Sequence, residues 1–380
     1  MRCWVLKILM ILSNPFIVDP RVYKEAKALV DGGHEVSIIV WDRKNEYNPE
    51  EDIEGVHVVR LHNSFVMKLL PHDLFRNPLW WWHAFRKGVE LYHNGFDFDV
   101  VHCHDLDTLA SGVLLKKKFG VKLVYDAHEI FGYMISREMP NFVVNVSFLI
   151  EKMLINKVDN IITVNIPLKK YFKSIIHKPI TIVMNCKSLI SDEYSPSKNE
   201  IFTLSYIGVL HKNRMFPEII DIIGDIDDVK FIIAGKKENL YDNVKKRSSK
   251  YSNIDFLGAI PFGEVIPTTL KSDVVICMIN PDDPNNKIAL ANKQFEAMVC
   301  GRPIITTKGT YVGDLTKELN CGLVVDYDEE SLREAILQLK NDNNECEKLG
   351  KNGLSAAKEK YNWSTQIDNL IELYEKLSLS

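Results

Sequence analysis

Three polar residues, Asn292, Lys293 and Glu296, stand close together in the run NNKIALANKQFEAMVCGRPIITT (285–307), which is otherwise composed for a core. On a helix Asn292 and Glu296 lie at i, i+4 and Lys293 lies three before Glu296, so all three can point one way. Phe295, Met298 and Val299 at i, i+3, i+4 then face the sheet. An ammonium and a carboxylate so arranged are either a surface pair contributing about 0.3–0.5 kcal/mol or two poles of a ligand site. A second group follows Gly208 in YIGVLHKNRMFPEII, which reads as strand, glycine turn and helix. There Lys212 and Arg214 oppose the macrodipole of the helix they precede. They are therefore either solvated or placed for an anion, and diphosphate is the anion the pattern suggests. The third group, His104, Asp105, Asp126, His128 and Glu129, ends two strands in VVHCHDLDTLA and KLVYDAHEIFGYM. Singly, each reads as a buried, hydrogen-bonded side chain. Together they exceed what a core needs, and His128 is the candidate for chemistry. Asp19 precedes Pro20 as a helix cap, which puts Arg21 in the first turn, open to a phosphate, a sugar or solvent. The Asp-x-Asp of 105–107 recurs at 97–99 and 225–227, so it assigns no metal.

The elements that must hold these residues alternate along the chain. Short apolar runs, LKILMIL, EVSIIVW, VHVVRL, DVVHCH, KLVYDA, NIITV and ITIVM, are separated by segments of helical period. Continuous hydrophobicity marks strands buried on both faces, as a parallel sheet between helices requires. A second series, FTLSYIG, VKFIIAG, NIDFLG, DVVICMI, RPIITT and GLVVDY, repeats the arrangement after residue 200. Between them ISDEYSPSKNE (190–200) is polar, contains Pro196 and has neither period, which is linker composition. The fold class is therefore α/β, two doubly wound domains with ligands beyond the carboxyl ends of their strands. At 380 residues the chain exceeds the length at which one core stops growing, so two domains are natural.

Composition excludes several classes. Hydrophobic residues at 46% and charged residues at 26% fit neither disorder nor a disulfide scaffold, and a net charge of −4 argues against a nucleic-acid partner. Seven cysteines without C-x-x-C spacing read as small buried residues in a reducing, cytoplasmic compartment. The turn after the first strand lacks G-x-G-x-x-G, which disfavours a dinucleotide oxidoreductase. The opening MRCWVLKILMILSNPF reads as a first strand rather than a signal peptide, for it lacks a small-x-small cleavage site. No apolar run reaches the ~18 residues of a membrane span.

In order along the chain, DPRVYKEAKALVDGGHEVSIIV, DVVHCHDLDTL, LVYDAHE, YIGVL followed by Arg214, FIIAG, IDFLG, SDVVICM and NKQFEAMVCGRPIIT resemble the retaining family 4 glycosyltransferases of the GT-B fold. That resemblance implies two Rossmann-like domains facing a central cleft. The N-terminal domain (1–190) would hold the acceptor, with Asp19, Arg21, His104, Asp105 and Glu129 on that side. The C-terminal domain (191–360) would hold a nucleotide-sugar donor through Gly208, Lys212, Arg214, Gly235, Gly258, Asn292, Lys293 and Glu296. A terminal helix (361–380) would cross back to the first domain, with Trp363 at the bend. Glu296 would accept ribose hydroxyls, Lys293 and Arg214 would neutralise the departing diphosphate, and His128 would support the oxocarbenium-like sugar by hydrogen bonding. No metal or other cofactor is implied. The acceptor hydroxyl would attack the face the nucleotide leaves, and no carboxylate pair of the hydrolase kind is identified.

Two departures leave the sugar open. Many members carry a glutamate eight positions before Glu296, where this chain has Ile288, and an arginine after the turn glycine, where it has Val209. A subgroup with N-K-x-x-E fits better. The partners implied are a nucleotide-sugar donor and a glycan or lipid-linked acceptor. A GT-B epimerase and a non-catalytic nucleotide-sugar binder remain alternatives. The segment 65–94 sets Trp80, Trp81 and Trp82 among Lys68, Arg76, Arg86 and Lys87. That is the composition of a helix lying on the inner face of a membrane, or of a helix packed under its neighbour. NFVVNVSFLIEKMLINKV allows the same two readings, with core packing favoured.

Overall fold

The computed structural model describes residues 5–17, 19–70, 73–136, 139–238 and 240–379. The chain divides into two compact units, Met1–Met184 with Gln366–Ser380, and Asn185–Thr365. The division precedes the polar segment 190–200, which is tied into the second unit: Ser197 Oγ and Asn199 Nδ2 both donate to Asp273.

The first unit is built on an eight-stranded sheet. Its strands are β1 (Lys7–Leu12), β2 (Glu35–Asp42), β3 (Glu50–Ile53), β4 (Val56–His62), β5 (Val100–His104), β6 (Lys122–Ala127), β7 (Asn160–Thr163) and β8 (Ile180–Ile182), in the order β3-β4-β2-β1-β5-β6-β7-β8. All neighbours run parallel except β3, which pairs antiparallel with β4. The chain moves one way from β1 to β2 and later the other way to β5, so a crevice opens beyond the ends of β1 and β5. Side chains alternate across the sheet. Leu9, Ile11, Val101, Cys103, Leu123 and Tyr125 join one core with Trp80, Leu109, Ile155 and Phe172 of the helices on that face. His102, His104 and Asp126 have the opposite parity. They face helix Pro20–Asp31 and helix Trp363–Ser378, whose Arg21 and Tyr374 reach them. Those two helices approach closely, since a Cβ on Gly32 would lie 2.8 Å from Ile371 Cδ1.

The second unit holds β9 (Phe202–Ile207), β10 (Val229–Ala234), β11 (Ile254–Gly258), β12 (Val274–Cys277), β13 (Ile304–Thr307) and β14 (Gly322–Val325), all parallel, in the order β11-β10-β9-β12-β13-β14. Its direction reverses between β9 and β12, which marks the ligand-binding edge. The two α/β halves that the apolar runs imply are both present.

The tryptophan run does not form a membrane-facing belt. Trp80 is fully buried and stacks on Trp41 at 5.2 Å, and the indole N–H groups of Trp80 and Trp81 both donate to the Asp107 carbonyl. Helix Asp73–His93 packs against helix Leu106–Phe119, and successive residues on it cannot share one face. Only Trp82 of the three is exposed. Among the described residues no helix is long and apolar enough to cross a membrane.

Candidate functional site

In the second unit three glycines line the carboxyl edge of neighbouring strands. Gly208 N–H donates to Ala234 O, and Gly235 N–H donates to Gly258 O. Side chains here would collide with the next strand end: a Cβ on Gly235 would lie 2.6 Å from Gly208 O. At Gly208, φ is +150° and a Cβ would meet Lys293 Nζ at 2.5 Å, so its missing side chain makes the space the ammonium fills. Lys293 Nζ also lies 4.2 Å from the Tyr206 ring centroid, a cation–π contact that fixes it over β9.

Lys212 and Arg214 do not sit at a helix N-terminus. They form a single 3-10 turn, Lys212–Arg214, and the helix starts only at Glu218 with acidic residues in its first turn. Anion attraction here must come from the side chains. Arg214 is held by Nη1 donating to Asn286 Oδ1 at 3.0 Å. Asn286 comes from the segment after β12, where Asp283 caps helix Pro284–Ile288 and also accepts from Asn213 Nδ2 at 3.1 Å. The two strand ends flanking the switch are thus laced together around Arg214.

Helix Asn292–Val299 buries Gln294 through Val299. Glu296 is 6% exposed and its cation is Lys187, Nζ to Oε1 at 3.1 Å, rather than Lys293. The surface Lys293–Glu296 pair is therefore not formed. Asn292 is exposed and accepts from Asn185 Nδ2 at 3.0 Å. Gly208, Gly235, Lys293 and Arg214 cluster on the switch, whereas Asn292 and Glu296 meet the chain entering the unit at Asn185 and Lys187.

In the first unit Asp126 is a hub. Both its oxygens accept from Arg21 Nη2 at 3.1 and 3.0 Å, and His128 Nε2 lies 3.2 Å and His104 Nδ1 3.4 Å from Oδ2. Arg21 also meets Glu25 at 2.9 Å and donates to Val183 O at 2.8 Å. It is buried, and its two terminal nitrogens meet three neighbouring acceptors, while its Nε has no partner among the described residues. Burial opposes a charge on Asp126, yet Arg21 and His128 hold it well below the carboxylate range. Burial raises Glu25 to about 8 against the pull of Arg21, and lowers His104 to about 3. Glu25, His102, His104 and Asp126 offer ligand atoms within 4.8 Å of one another, as a metal would need. The Arg21 guanidinium already supplies that cluster's cation.

Asp19 caps helix Pro20–Asp31, accepting from the N–H groups of Arg21 and Val22. Asp105 is half-buried, sits at φ +59° and ψ 169°, and accepts from His128 N–H at 3.1 Å. Such a conformation is costly for a non-glycine residue, and strain of this kind gathers at functional sites. Glu129, the next residue after His128, is half-buried. His128 Nδ1 lies 3.3 Å from Asp105 and Nε2 faces Asp126, so both ring nitrogens meet carboxylates. Burial works against a charged imidazole, but Asp105 and Asp126 raise it to about 10.

The family model described as Glycosyltransferase Family 4 matches residues 20–186, and that described as Glycosyl transferases group 1 matches residues 202–342. The chain belongs to the GT-B glycosyltransferases. Among solved structures, this GT-B chain is similar in fold to sucrose-phosphate synthase from Thermosynechococcus elongatus, with TM-score 0.81 and 15% identity over 98% of this chain and 99% of that one. It also resembles Anabaena HepE in complex with UDP, at 0.72 and 14% over 98% and 100%. Among curated proteins, Bacillus subtilis spore coat protein SA is 26% identical over 166 residues, 41% of this chain and 43% of that protein. A probable sucrose-phosphate synthase 1 of Oryza sativa is 29% identical over 190 residues, 47% of this chain and 16% of that protein. The GT-B chain thus spans less than half the length of the curated relatives it matches.

Sequence reasoning missed Lys187, Asn286 and Tyr374 of this chain. Asn286 had a signal, since Asp283-Pro284 after β12 repeats the Asp19-Pro20 cap after β1. Lys187 and Tyr374, whose OH lies 2.8 Å from His102 Nδ1, had none.

A pH effect follows from His128. Its folded pKa, about 10, exceeds its unfolded value, so its contribution to stability is complete below about pH 6.5 and is lost as pH rises toward 10. Urea unfolding should show the wild type losing about 2 kcal/mol more than His128→Gln between about pH 6.5 and 8. Equal losses would remove His128 as the source.

Proposed function

We propose that the chain is a retaining, metal-independent glycosyltransferase that moves a sugar from a nucleotide-sugar donor to a hydroxyl of a glycan or lipid-linked acceptor, with no cofactor. The reading is carried by the convergence of bare backbone at Gly208 with Lys293 and Arg214 at the switch between β9 and β12. A diphosphate there meets two cations, with no side chain on Gly208 to keep the backbone away. Lys187 engages Oε1 of Glu296, and Oε2 is assigned to a ribose hydroxyl. In the reaction the bond from the anomeric carbon to the diphosphate oxygen breaks, its electron pair leaves with the diphosphate, and Arg214 and Lys293 stabilise that growing charge. The acceptor oxygen bonds to the same face and its proton passes to a phosphate oxygen. In the first unit Asp105 and Glu129 are the groups proposed for the acceptor, and His128 fixes Asp105. Peripheral membrane contact belongs to the same reading, since a lipid-linked acceptor lies at such a surface.

HepE binds UDP, and a further HepE structure holds UDP-glucose, so UDP-glucose is the first donor to test within a panel of UDP-, GDP- and ADP-sugars. Nucleotide release that quickens with a hydroxyl acceptor, survives a chelator and gives a product of unchanged anomeric configuration is the expected result. Sugar interconversion without an acceptor would assign an epimerase, and binding without release a non-catalytic protein.

Glu296→Gln tests the ribose contact. Losing a charge-assisted hydrogen bond should weaken donor binding about ten- to a hundredfold. It also leaves Lys187, only 8% exposed, without its carboxylate, so melting temperature should fall. Calorimetric titration showing unchanged affinity would limit Glu296 to a structural role.

A further inference from the structure

The turn Lys212–Arg214 has to keep its shape without the support of a helix, which begins only at Glu218. Met215 closes it at φ +61° and ψ 25°, a left-handed conformation that a side chain of this bulk adopts only where its surroundings impose it. One constraint is the core of the second unit, in which the Met215 side chain is buried. Another comes from the end of β12. Asn280 N–H donates to Asn213 O at 3.0 Å, and Asp283 accepts from Asn213 Nδ2 at 3.1 Å, so the middle of the turn is gripped.

Its two ends are gripped by Tyr327, two residues beyond β14. The phenol hydroxyl donates to Lys212 O at 2.9 Å and accepts from Met215 N–H at 2.8 Å, which are the backbone groups on either side of Arg214. The same N–H and carbonyl lie 3.0 Å apart, so one hydroxyl bridges the pair that closes the turn. Tyr327 is half-buried and its ring packs on the core cluster that holds Met215, so the sheet sets where the hydroxyl stands. Burial raises the phenol above its ordinary pKa, against the opposing charge of Arg214, and this keeps the hydroxyl protonated as the bond to Lys212 O requires. A phenol has a single proton to donate. Here it is spent on the backbone, so Tyr327 has none to give a substrate.

We propose that Tyr327 is a positioning residue for sugar transfer, holding the turn so that Arg214 stands where the diphosphate departs. Asn286 fixes the guanidinium and Tyr327 fixes the backbone that carries it. Stabilisation of a developing charge depends on donors placed in advance, and a displacement of about 1 Å can cost about 10²-fold in rate. The inference rests on reading Arg214 as a diphosphate contact.

Tyr327→Phe tests it, since it keeps the ring and removes only the hydroxyl. Kinetics use the panel sugar that the wild type turns over, UDP-glucose first, and calorimetric titration uses UDP. Turnover at saturating donor should fall about tenfold while UDP affinity stays within about twofold. Added to Arg214→Ala, the same change should cost almost nothing more, because a residue that acts through the guanidinium has no effect once the guanidinium is gone. A tie that merely stabilises the fold would slow both backgrounds by the same factor, and that result would overturn the proposal. Wild-type turnover in Tyr327→Phe beside a slow Arg214→Ala would overturn it too, leaving the role of Arg214 intact. So would a loss of UDP affinity with turnover unchanged, which would make Tyr327 a donor-binding residue. Wild-type turnover in Arg214→Ala, or no turnover of any panel sugar by the wild type, would remove the underlying reading and the inference with it.

Discussion

Arg214→Ala is expected to slow sugar transfer by about 10²–10³-fold at saturating donor while donor affinity changes less. A guanidinium facing the departing diphosphate gains strength as negative charge develops, so its removal costs the transition state more than the ground state. The structure shows how that group is prepared. Asn286 Oδ1 receives one guanidinium nitrogen at 3.0 Å, and Asn286 is itself fixed by donating to Asn280 O at 2.9 Å. Lysine should rescue only partly, since it keeps the charge but loses the planar fork. Asn286→Ala should produce a smaller loss of the same kind, because it frees Arg214 without removing it. The check is kinetics on a donor identified by the panel, with alanine and lysine variants beside the wild type. Wild-type turnover in the alanine variant would move the diphosphate contact to Lys293 or Lys212.

Arg21→Met should lower stability by about 3–5 kcal/mol, the cost of stripping a buried ion pair of one partner. Arg21 is 4% exposed and Asp126 fully buried, so no water replaces the lost guanidinium. For a unit of this size the apparent melting temperature should drop by roughly 10 °C. Adding Asp126→Asn should recover part of the loss, since the uncompensated charge, rather than the missing contact, carries most of the penalty. Scanning calorimetry of the single and double variants decides this. A double variant no more stable than Arg21→Met would show that packing, not charge, is what Arg21 supplies.

The parallel strands were legible because each is buried on both faces and so must be apolar throughout. LKILMIL and EVSIIVW fall on β1 and β2, and DVVICMI on β12. The strand that left no such trace is β3, EEDI, at the exposed edge of its sheet, where neither face demands apolar residues. The glycines were legible as motif positions, though not the reason for Gly208, which is the ammonium of Lys293 from 85 residues further on. The partners of Arg21 and Glu296 were not legible. Asp126 lies 105 residues from Arg21, Lys187 lies far before Glu296, and nothing local in either stretch encodes the pairing. The turn after Gly208 was misread as a helix start because Lys212 to Arg214 satisfies its backbone as a 3-10 turn before the helix begins.

Helix Trp363–Ser378 sets an order of events during synthesis. Leu370, Leu373 and Tyr374 are buried, and Tyr374 belongs to the unit whose sheet is complete in sequence by Met184. All of Asn185–Thr365 must be translated in between, which takes roughly 10–40 s at about 5–20 residues per second. Throughout that interval the sheet face bearing His102 and helix Pro20–Asp31 waits without the cover of Leu370, Leu373 and Tyr374. A nascent chain of this protein should therefore engage holding chaperones through its first half, and release from them should follow emergence of the last helix rather than completion of the first sheet.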